Sequence, residues 1–329
     1  MKKIVVLAGF QLAEKALAMM RQAARVVAVH NVIEDAPLDE VRDADAILAG
    51  ASVYLDRRLI ESAKNLRHVA RVGVGVDRID LEAATEYGVR VTNTPEVSAH
   101  PVAEFTMALL LSLAKNIPVY DGVVRNNRWR EKSRLGLVNR ELNGKTHGVV
   151  GLGRIGRRVA ARCRAFGMRV LYHKRTRDRE SEKTLGVEYA PFEVLLREAD
   201  SISLHLPLTD ETKNLFDEAQ FEAMKNTALL INQARGYVVN EEALIEALKA
   251  GKIGGYATDV YAHEPPDPDS ELLELENTVL TPHLGGSSPE SHLRLSMAAA
   301  EEVLRVMRGD EAKHLVNKEV LQIKRPRSR

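Results

Sequence analysis

Thr146-His-Gly-Val-Val-Gly-Leu-Gly-Arg-Ile-Gly156 joins a short apolar run to a helical pattern through three glycines. Val149 and Val150 end the run, and a helix-like segment extends from Arg154 to Phe166. In a strand–turn–helix setting each glycine has its own task. Gly151 permits the tight turn, Gly153 lets backbone approach a pyrophosphate, and Gly156 lets helix pack closely on strand. The phosphates then sit at the helix N-terminus, where Arg154 and Ile155 lie. A dinucleotide site expects Asp or Glu about 20 residues further on, for the ribose hydroxyls. Here that place reads Tyr172-His-Lys-Arg-Thr-Arg177, with no acid before Asp178. A carboxylate would repel a 2′-phosphate, whereas Arg175 and Thr176 would bind one. The cofactor expected is therefore NADP(H), with NAD(H) as the alternative.

Upstream of this cradle the chain alternates two patterns. Apolar runs at Ile4–Ala8, Val26–Val29, Ala46–Ala49, His68–Val72 and Val89–Thr92 are separated by helix-like segments at Leu12–Ala24, Asp56–Ala63 and Leu81–Tyr87. Alternating strand and helix signals predict a parallel sheet covered by helices on both faces. Gly73-Val-Gly75 also follows a strand but lacks the third glycine, so it reads as a turn whose amides could hold an anion. The rhythm breaks at Ser98–Lys115, one long helix that is apolar nearly all round and therefore buried. Pro118 is expected to end it, with a less regular stretch up to Asn143. Downstream of the cradle further strands are predicted at Arg169–Tyr172, Ser201–Leu204, Leu229–Asn232, Gly255–Asp259 and Thr278–Leu280. A last helix runs from Pro289 to Arg308, before a basic end, Lys324 to Arg329, read as a frayed terminus.

Composition bounds the function. At about 150 residues per domain, 329 residues suggest two domains. Lys plus Arg total 47 against 46 Asp plus Glu, a formal net charge of +1, so a nucleic-acid partner is not expected. The longest apolar stretch, Val102–Ala114, carries Glu104 and is too short to span a bilayer. Single Cys163 forms no internal disulfide and reads as core, on a face with Val159 and Phe166. These features predict a cytoplasmic protein without a membrane segment. The histidines show no metal-ligand spacing, so no metal is expected.

Three residues fall just beyond successive predicted strands: Arg235 after Leu229–Asn232, Glu264 after Asp259-Val260, and His283 after Val279–Leu280. Doubly wound sheets bind ligands at those ends. Together they suit hydride transfer to a 2-oxo acid. Arg235 can hold the carboxylate and polarise the adjacent carbonyl, where oxyanion character grows. His283 can donate the proton that completes the hydroxyl, or remove it in the oxidation direction. Glu264, if paired with His283, would favour the imidazolium.

The ordered motifs Arg71-Val-Gly-Val-Gly-Val-Asp77, Asn93-Thr-Pro95, Val102-Ala-Glu-Phe-Thr106, Gly144-Lys-Thr146 with Gly151–Gly156, Leu204-His-Leu-Pro-Leu-Thr209, Ile231-Asn-Gln-Ala-Arg-Gly236, Asp259-Val-Tyr-Ala-His-Glu-Pro265 and Thr281-Pro-His-Leu-Gly-Gly286 cover nearly the whole chain. In these the sequence resembles the D-isomer-specific 2-hydroxyacid dehydrogenase family. The resemblance implies an α/β fold of two doubly wound parallel-sheet domains. A flavodoxin-like substrate domain, residues 1–98 plus 287–329, would receive an inserted Rossmann cofactor domain, 99–286. The helices from Ser98 and from Pro289 would be the crossovers. It implies catalytic Arg235, Glu264 and His283. Substrate contacts are implied at the amides of Val74 and Gly75 and at Ser52. Cofactor contacts are implied at Thr106, Arg154, Ile155, His173, Lys174, Arg175, Thr176, Pro207, Ala234, Asp259 and Gly285. It also implies a homodimer built through the cofactor domain.

The expected reaction interconverts a small 2-oxo acid and its D-2-hydroxy acid. Phosphoglycerate dehydrogenases of this family carry a phosphate-holding arginine in the stretch matching Ala49-Gly-Ala-Ser52, where this chain has none. The chain is also expected to lack the C-terminal regulatory domain many of them have, though short forms exist. The basic His173–Arg177 segment resembles that of NADP-preferring glyoxylate and hydroxypyruvate reductases, so those substrates are favoured. A phosphoglycerate dehydrogenase without the regulatory domain is the alternative. A dinucleotide-sensing regulatory protein is a further one, opposed by the intact Arg235, Glu264 and His283. His205 is read as either lining the cofactor pocket or structural. Trp129 is read as packing, or as touching substrate or a dimer partner.

Overall fold

The computed structural model describes residues 1–8, 11–30, 38–134, 136 and 138–323. The basic Lys324–Arg329 end lies outside them. The chain divides into two compact units, Met1–Ser98 with Ser287–Arg329, and Ala99–Gly286.

The first unit begins with β1 (Lys3–Ala8), α1 (Glu14–Arg21), β2 (Arg25–His30), α2 (Leu38–Val41), β3 (Ala46–Ala49), α3 (Arg57–Ser62), β4 (His68–Arg71), α4 (Leu81–Glu86) and β5 (Arg90–Thr92). Its five strands lie in the order β2-β1-β3-β4-β5, all parallel. That is the flavodoxin-like doubly wound order. β1, β3 and β4 are buried along their whole length, which is why they read as continuous apolar runs rather than alternating ones. Asp56 and Asp80 start α3 and α4 by accepting the Leu59 and Ala83 amides at 2.8 Å each.

The second unit contains α5 (Ala99–Ala114), α6 (Ile117–Arg125), β6 (Thr146–Val150), α7 (Arg154–Ala165), β7 (Arg169–His173), α8 (Arg179–Leu185), β8 (Glu188–Tyr189), α9 (Phe192–Glu198), β9 (Ser201–Leu204), α10 (Glu218–Ala223), β10 (Leu229–Asn232), α11 (Glu241–Lys249), β11 (Gly255–Thr258) and β12 (Thr278–Leu280). The strand order is β12-β11-β10-β9-β6-β7-β8, again all parallel. The winding direction reverses between β6 and β9, and that reversal is where such sheets take a dinucleotide. Buried His147 on β6 bonds Ser201 Oγ at 2.7 Å and Ser203 Oγ at 2.9 Å on β9, tying the two strands at the reversal.

α5 is buried, as an all-round apolar helix must be, and packs on α7 and on β10–β12 within its unit. Cys163 lies in this core with its Sγ 3.6 Å from Met107 Sδ, and burial pushes its thiol up to about 12. Phe166, expected on the same buried face, is exposed instead, because α7 ends there. Pro118 also departs from expectation. The break falls at Asn116, in the left-handed region at φ 52°, and Pro118 sits in the first turn of α6. A proline there gives up no helical hydrogen bond.

The last helix, α12 (Pro289–Arg308), returns to the first unit. Its Ala299, Ala300 and Val303 fill one core with Ile4, Val6, Leu48 and Ala70 of β1, β3 and β4. No single helix among the described residues is long and apolar enough to cross a membrane.

Candidate active site

The cradle forms at the strand reversal. Gly151 follows β6 at φ 98°, and a Cβ there would strike the His205 carbonyl beyond β9. A Cβ on Gly156 would strike the Gly151 carbonyl and come within 3.1 Å of Val149 Cγ1, so α7 can press on β6 only with glycine there. Gly153, the N-cap of α7, is different: a Cβ on it would meet nothing within 4 Å, and no side chain caps the helix. The first-turn amides of α7 therefore face open space at Gly153, where a pyrophosphate can approach them. These three environments fit a dinucleotide.

Beyond β7, His173 Nδ1 donates to Ala190 O (3.2 Å) and its ring stands 5.5 Å from Phe192. Lys174 lies 3.6 Å from Asp178, while Arg175 and Thr176 are exposed. Asp178, the first acid after β7, is engaged by protein groups. It caps α8 by accepting the Ser181 amide at 3.0 Å and pairs with Arg157 at 2.5 Å. The Ser181 amide and Arg157 hold its carboxyl well below the usual carboxylate range. Arg157 is a basic residue of this corner that sequence reasoning missed; its only signal is its place directly after the third glycine.

The far end of the sheet gathers the chemical groups. Arg235 follows β10 on a turn fixed by Asn232, whose side chain donates to the Arg235 carbonyl (3.0 Å) and accepts the Ala234 amide (3.0 Å). The Arg235 guanidinium donates to Ala234 O at 2.7 Å. Gly236 is required because a Cβ there would collide with the Tyr261–Ala262 backbone. That backbone leads to Glu264, whose Oε1 accepts the Tyr261 amide at 3.2 Å. His283 Nδ1 stands 3.0 and 2.9 Å from the two Glu264 carboxylate oxygens. The carboxylate accepts only, so Nδ1 carries the proton and Nε2 is the ring nitrogen available to a ligand.

Asp259, 1% exposed, organises the loop around His283. Its Oδ1 accepts Thr281 Oγ1 at 2.7 Å and the Leu284 amide at 3.0 Å, and its Oδ2 accepts the Gly285 amide at 2.6 Å. Ala234 is buried, and Pro207 is exposed on the loop after β9. His205 bonds Ser203 Oγ at 2.9 Å. Thr106 is not brought to the surface: it has no exposure, and its hydroxyl donates to Val102 O within α5. Trp129 is 61% exposed, so it does not pack in the core of its unit.

The implied substrate contacts lie in the first unit. Gly73, at φ 120°, is pinned by its amide to Thr94 Oγ1 at 2.8 Å, and Asn93 Nδ2 donates to Val74 O at 2.8 Å. Buried Arg71 donates to the carbonyls of Gly50 and Val53, fixing the loop that carries Ser52.

A doubly wound sheet with a dinucleotide cradle at its reversal, with an acid–imidazole pair and an arginine following three neighbouring strands, defines a nicotinamide-dependent oxidoreductase. The model of the D-isomer specific 2-hydroxyacid dehydrogenase, NAD binding domain, matches residues 107–285. A glyoxylate reductase of Aeropyrum pernix is 44% identical over 294 residues, 88% of each chain. A D-3-phosphoglycerate dehydrogenase of Archaeoglobus fulgidus is 40% identical over 313 residues, 95% of this chain but 59% of that one. An NADPH-dependent glyoxylate/hydroxypyruvate reductase of Sinorhizobium meliloti, solved with NADP and malonate, superposes with a TM-score of 0.85 at 29% identity, covering 97% of each chain. The chain belongs to the D-isomer-specific 2-hydroxyacid dehydrogenase family, and it is an enzyme that uses a nicotinamide dinucleotide.

Proposed function

We propose that this enzyme reduces glyoxylate and hydroxypyruvate to their 2-hydroxy acids, with D stereochemistry where the product is chiral, and that it prefers NADPH. The observation that carries the chemistry is the His283 Nδ1–Glu264 carboxylate pair, 2.9 Å long, formed after β11 and β12, with Arg235 after neighbouring β10. A bound nicotinamide supplies the hydride. Arg235 holds the substrate carboxylate and stabilises charge growing on the carbonyl oxygen. His283 delivers a proton from Nε2 to that oxygen while Glu264 holds the ring and offsets its positive charge. The open face at Gly153 and the first-turn amides of α7 take the pyrophosphate, and the Val74 and Gly75 amides bind the substrate carboxylate. The substrate choice draws on the A. pernix relative's name. The cofactor choice draws on Lys174, Arg175 and Thr176 and on the absence of an acid between Tyr172 and Arg177. We place the enzyme in the cytoplasm as a homodimer, with the exposed Trp129 on its partner-facing side. The 40% identity to a phosphoglycerate dehydrogenase supports phosphohydroxypyruvate as the second substrate to consider.

Initial rates with NADPH and NADH against glyoxylate, hydroxypyruvate, pyruvate and phosphohydroxypyruvate test this. The expected result is the highest kcat/KM with NADPH and glyoxylate or hydroxypyruvate. A preference for phosphohydroxypyruvate or for NADH would overturn the corresponding half. His283→Ala is expected to lower kcat about 10²- to 10⁴-fold with cofactor affinity retained.

A further inference from the structure

Gln233 stands between Asn232, the last residue of β10, and Ala234. It is 8% exposed, and its Nε2 has no hydrogen-bond partner among the described residues. Its other amide atom lies over Gly285: a Cβ added there would come within 2.7 Å of Gln233 Oε1 and 2.9 Å of Asp259 Oδ2. Asp259 already takes three donors, from Thr281, Leu284 and Gly285. Buried side-chain donors without an acceptor are rare in native proteins, and a ligand is one way such a group is satisfied. This one lies at the carboxyl ends of β10 and β11, where doubly wound sheets take ligands, and two residues from Arg235.

We propose that Gln233 is a positioning residue for the nicotinamide end of the cofactor, its Nε2 donating to the carboxamide carbonyl oxygen. An –NH₂ group needs an acceptor, and the carboxamide oxygen is the acceptor borne by the pyridine ring. A hydrogen bond there holds the ring against rotation about its ribose link. It therefore fixes which ring face meets the substrate. A substrate carboxylate is a further acceptor, and in the reading above Arg235 serves it. The proposal rests on the assignment of this cleft to a nicotinamide dinucleotide, and it is independent of the 2′-phosphate preference.

The test is binding by fluorescence or calorimetric titration, comparing the natural protein with Gln233→Met, a near-isosteric change without the donor. The ligands are NADPH and 2′-phospho-ADP-ribose, which lacks the nicotinamide ring. Gln233→Met is expected to weaken NADPH about tenfold, the scale of one lost hydrogen bond, and to leave 2′-phospho-ADP-ribose within about twofold. The ligand-free melting temperature is expected not to fall, because the amide loses no partner inside the protein. Unchanged NADPH affinity, equal losses for both ligands, or a lower ligand-free melting temperature would each overturn the proposal. The last would mean that the amide bonds within the protein. If the natural protein binds neither NADPH nor NADH, the cofactor assignment itself fails. If it favours NADH, the same comparison is made with NADH and ADP-ribose.

Discussion

His283 holds a left-handed backbone at φ 56°, which costs a non-glycine residue about 1–2 kcal/mol. Asp259 holds it there by binding Thr281 on one side and Leu284 and Gly285 on the other. The imidazole is thus aimed by a buried carboxylate two residues before and one after, and by Glu264 at its own Nδ1. The same logic makes Gly236 a test of the Glu264 loop. Gly236→Ala pushes Tyr261 and Ala262 aside and moves Glu264 away from His283. We expect kcat to fall about 10²-fold, the cost of a misplacement near 1 Å, with the circular dichroism spectrum unchanged. At this scale the sequence was legible where a residue's position relative to a strand end carried the signal, as for Arg235, Glu264 and His283. It was not legible where the partner is remote in sequence. Nothing local says that Asp178 would be taken by Arg157, that the Thr106 hydroxyl would turn back on its helix, or that the Gln233 Nε2 would be left without an acceptor among the described residues.

Elements were legible in proportion to how strongly their own residues specify them. β1, β3, β4 and β10 are buried on both faces and stand out as apolar runs, and α12 runs over the predicted Pro289–Arg308, capped by Ser288 and ended by Gly309. β8 was missed because it is only two residues long. α6 was missed because Pro118 signals a helix start as well as a stop, and only Asn116 decides between them. The segment after α12 returns to the sheet edge through Asn317, which is 4% exposed. Its Oδ1 accepts the Val91 amide at 2.8 Å, and its Nδ2 donates to Val89 O and Thr85 Oγ1 at 2.9 and 3.0 Å. Asn317→Ala leaves the Val91 amide and Val89 carbonyl without these partners. The expected loss is about 2–3 kcal/mol of unfolding free energy, read from denaturant titration, with the cofactor affinity of the other unit unchanged.

Across the whole molecule the near balance of 47 basic and 46 acidic residues conceals a pH dependence set by buried neutral histidines. His68, bonded to Thr92 Oγ1 at 2.8 Å in the first unit, is held down to about 3 by burial and then by the Arg90 cation. His147 in the second unit is held down to about 3 by burial. In the unfolded chain both return to about 6.5. Their contribution is complete above that value and is lost as pH falls from about 6.5 toward 3, because only the unfolded chain then takes up the protons. Each is expected to lower stability by up to about 1.4 kcal/mol per pH unit in that window. Calorimetric melting between pH 7.5 and 5 checks this: His68→Gln and His147→Gln should each flatten the slope. The side chains that close the first core, Ala299, Ala300 and Val303, lie about 230 to 300 residues after the β1, β3 and β4 residues they cover. During synthesis the apolar face of β1, β3 and β4 therefore leaves the ribosome long before α12 exists, while the inserted unit can complete its own core first. The half made earliest finishes last, and the growing chain needs shelter from aggregation for most of its translation.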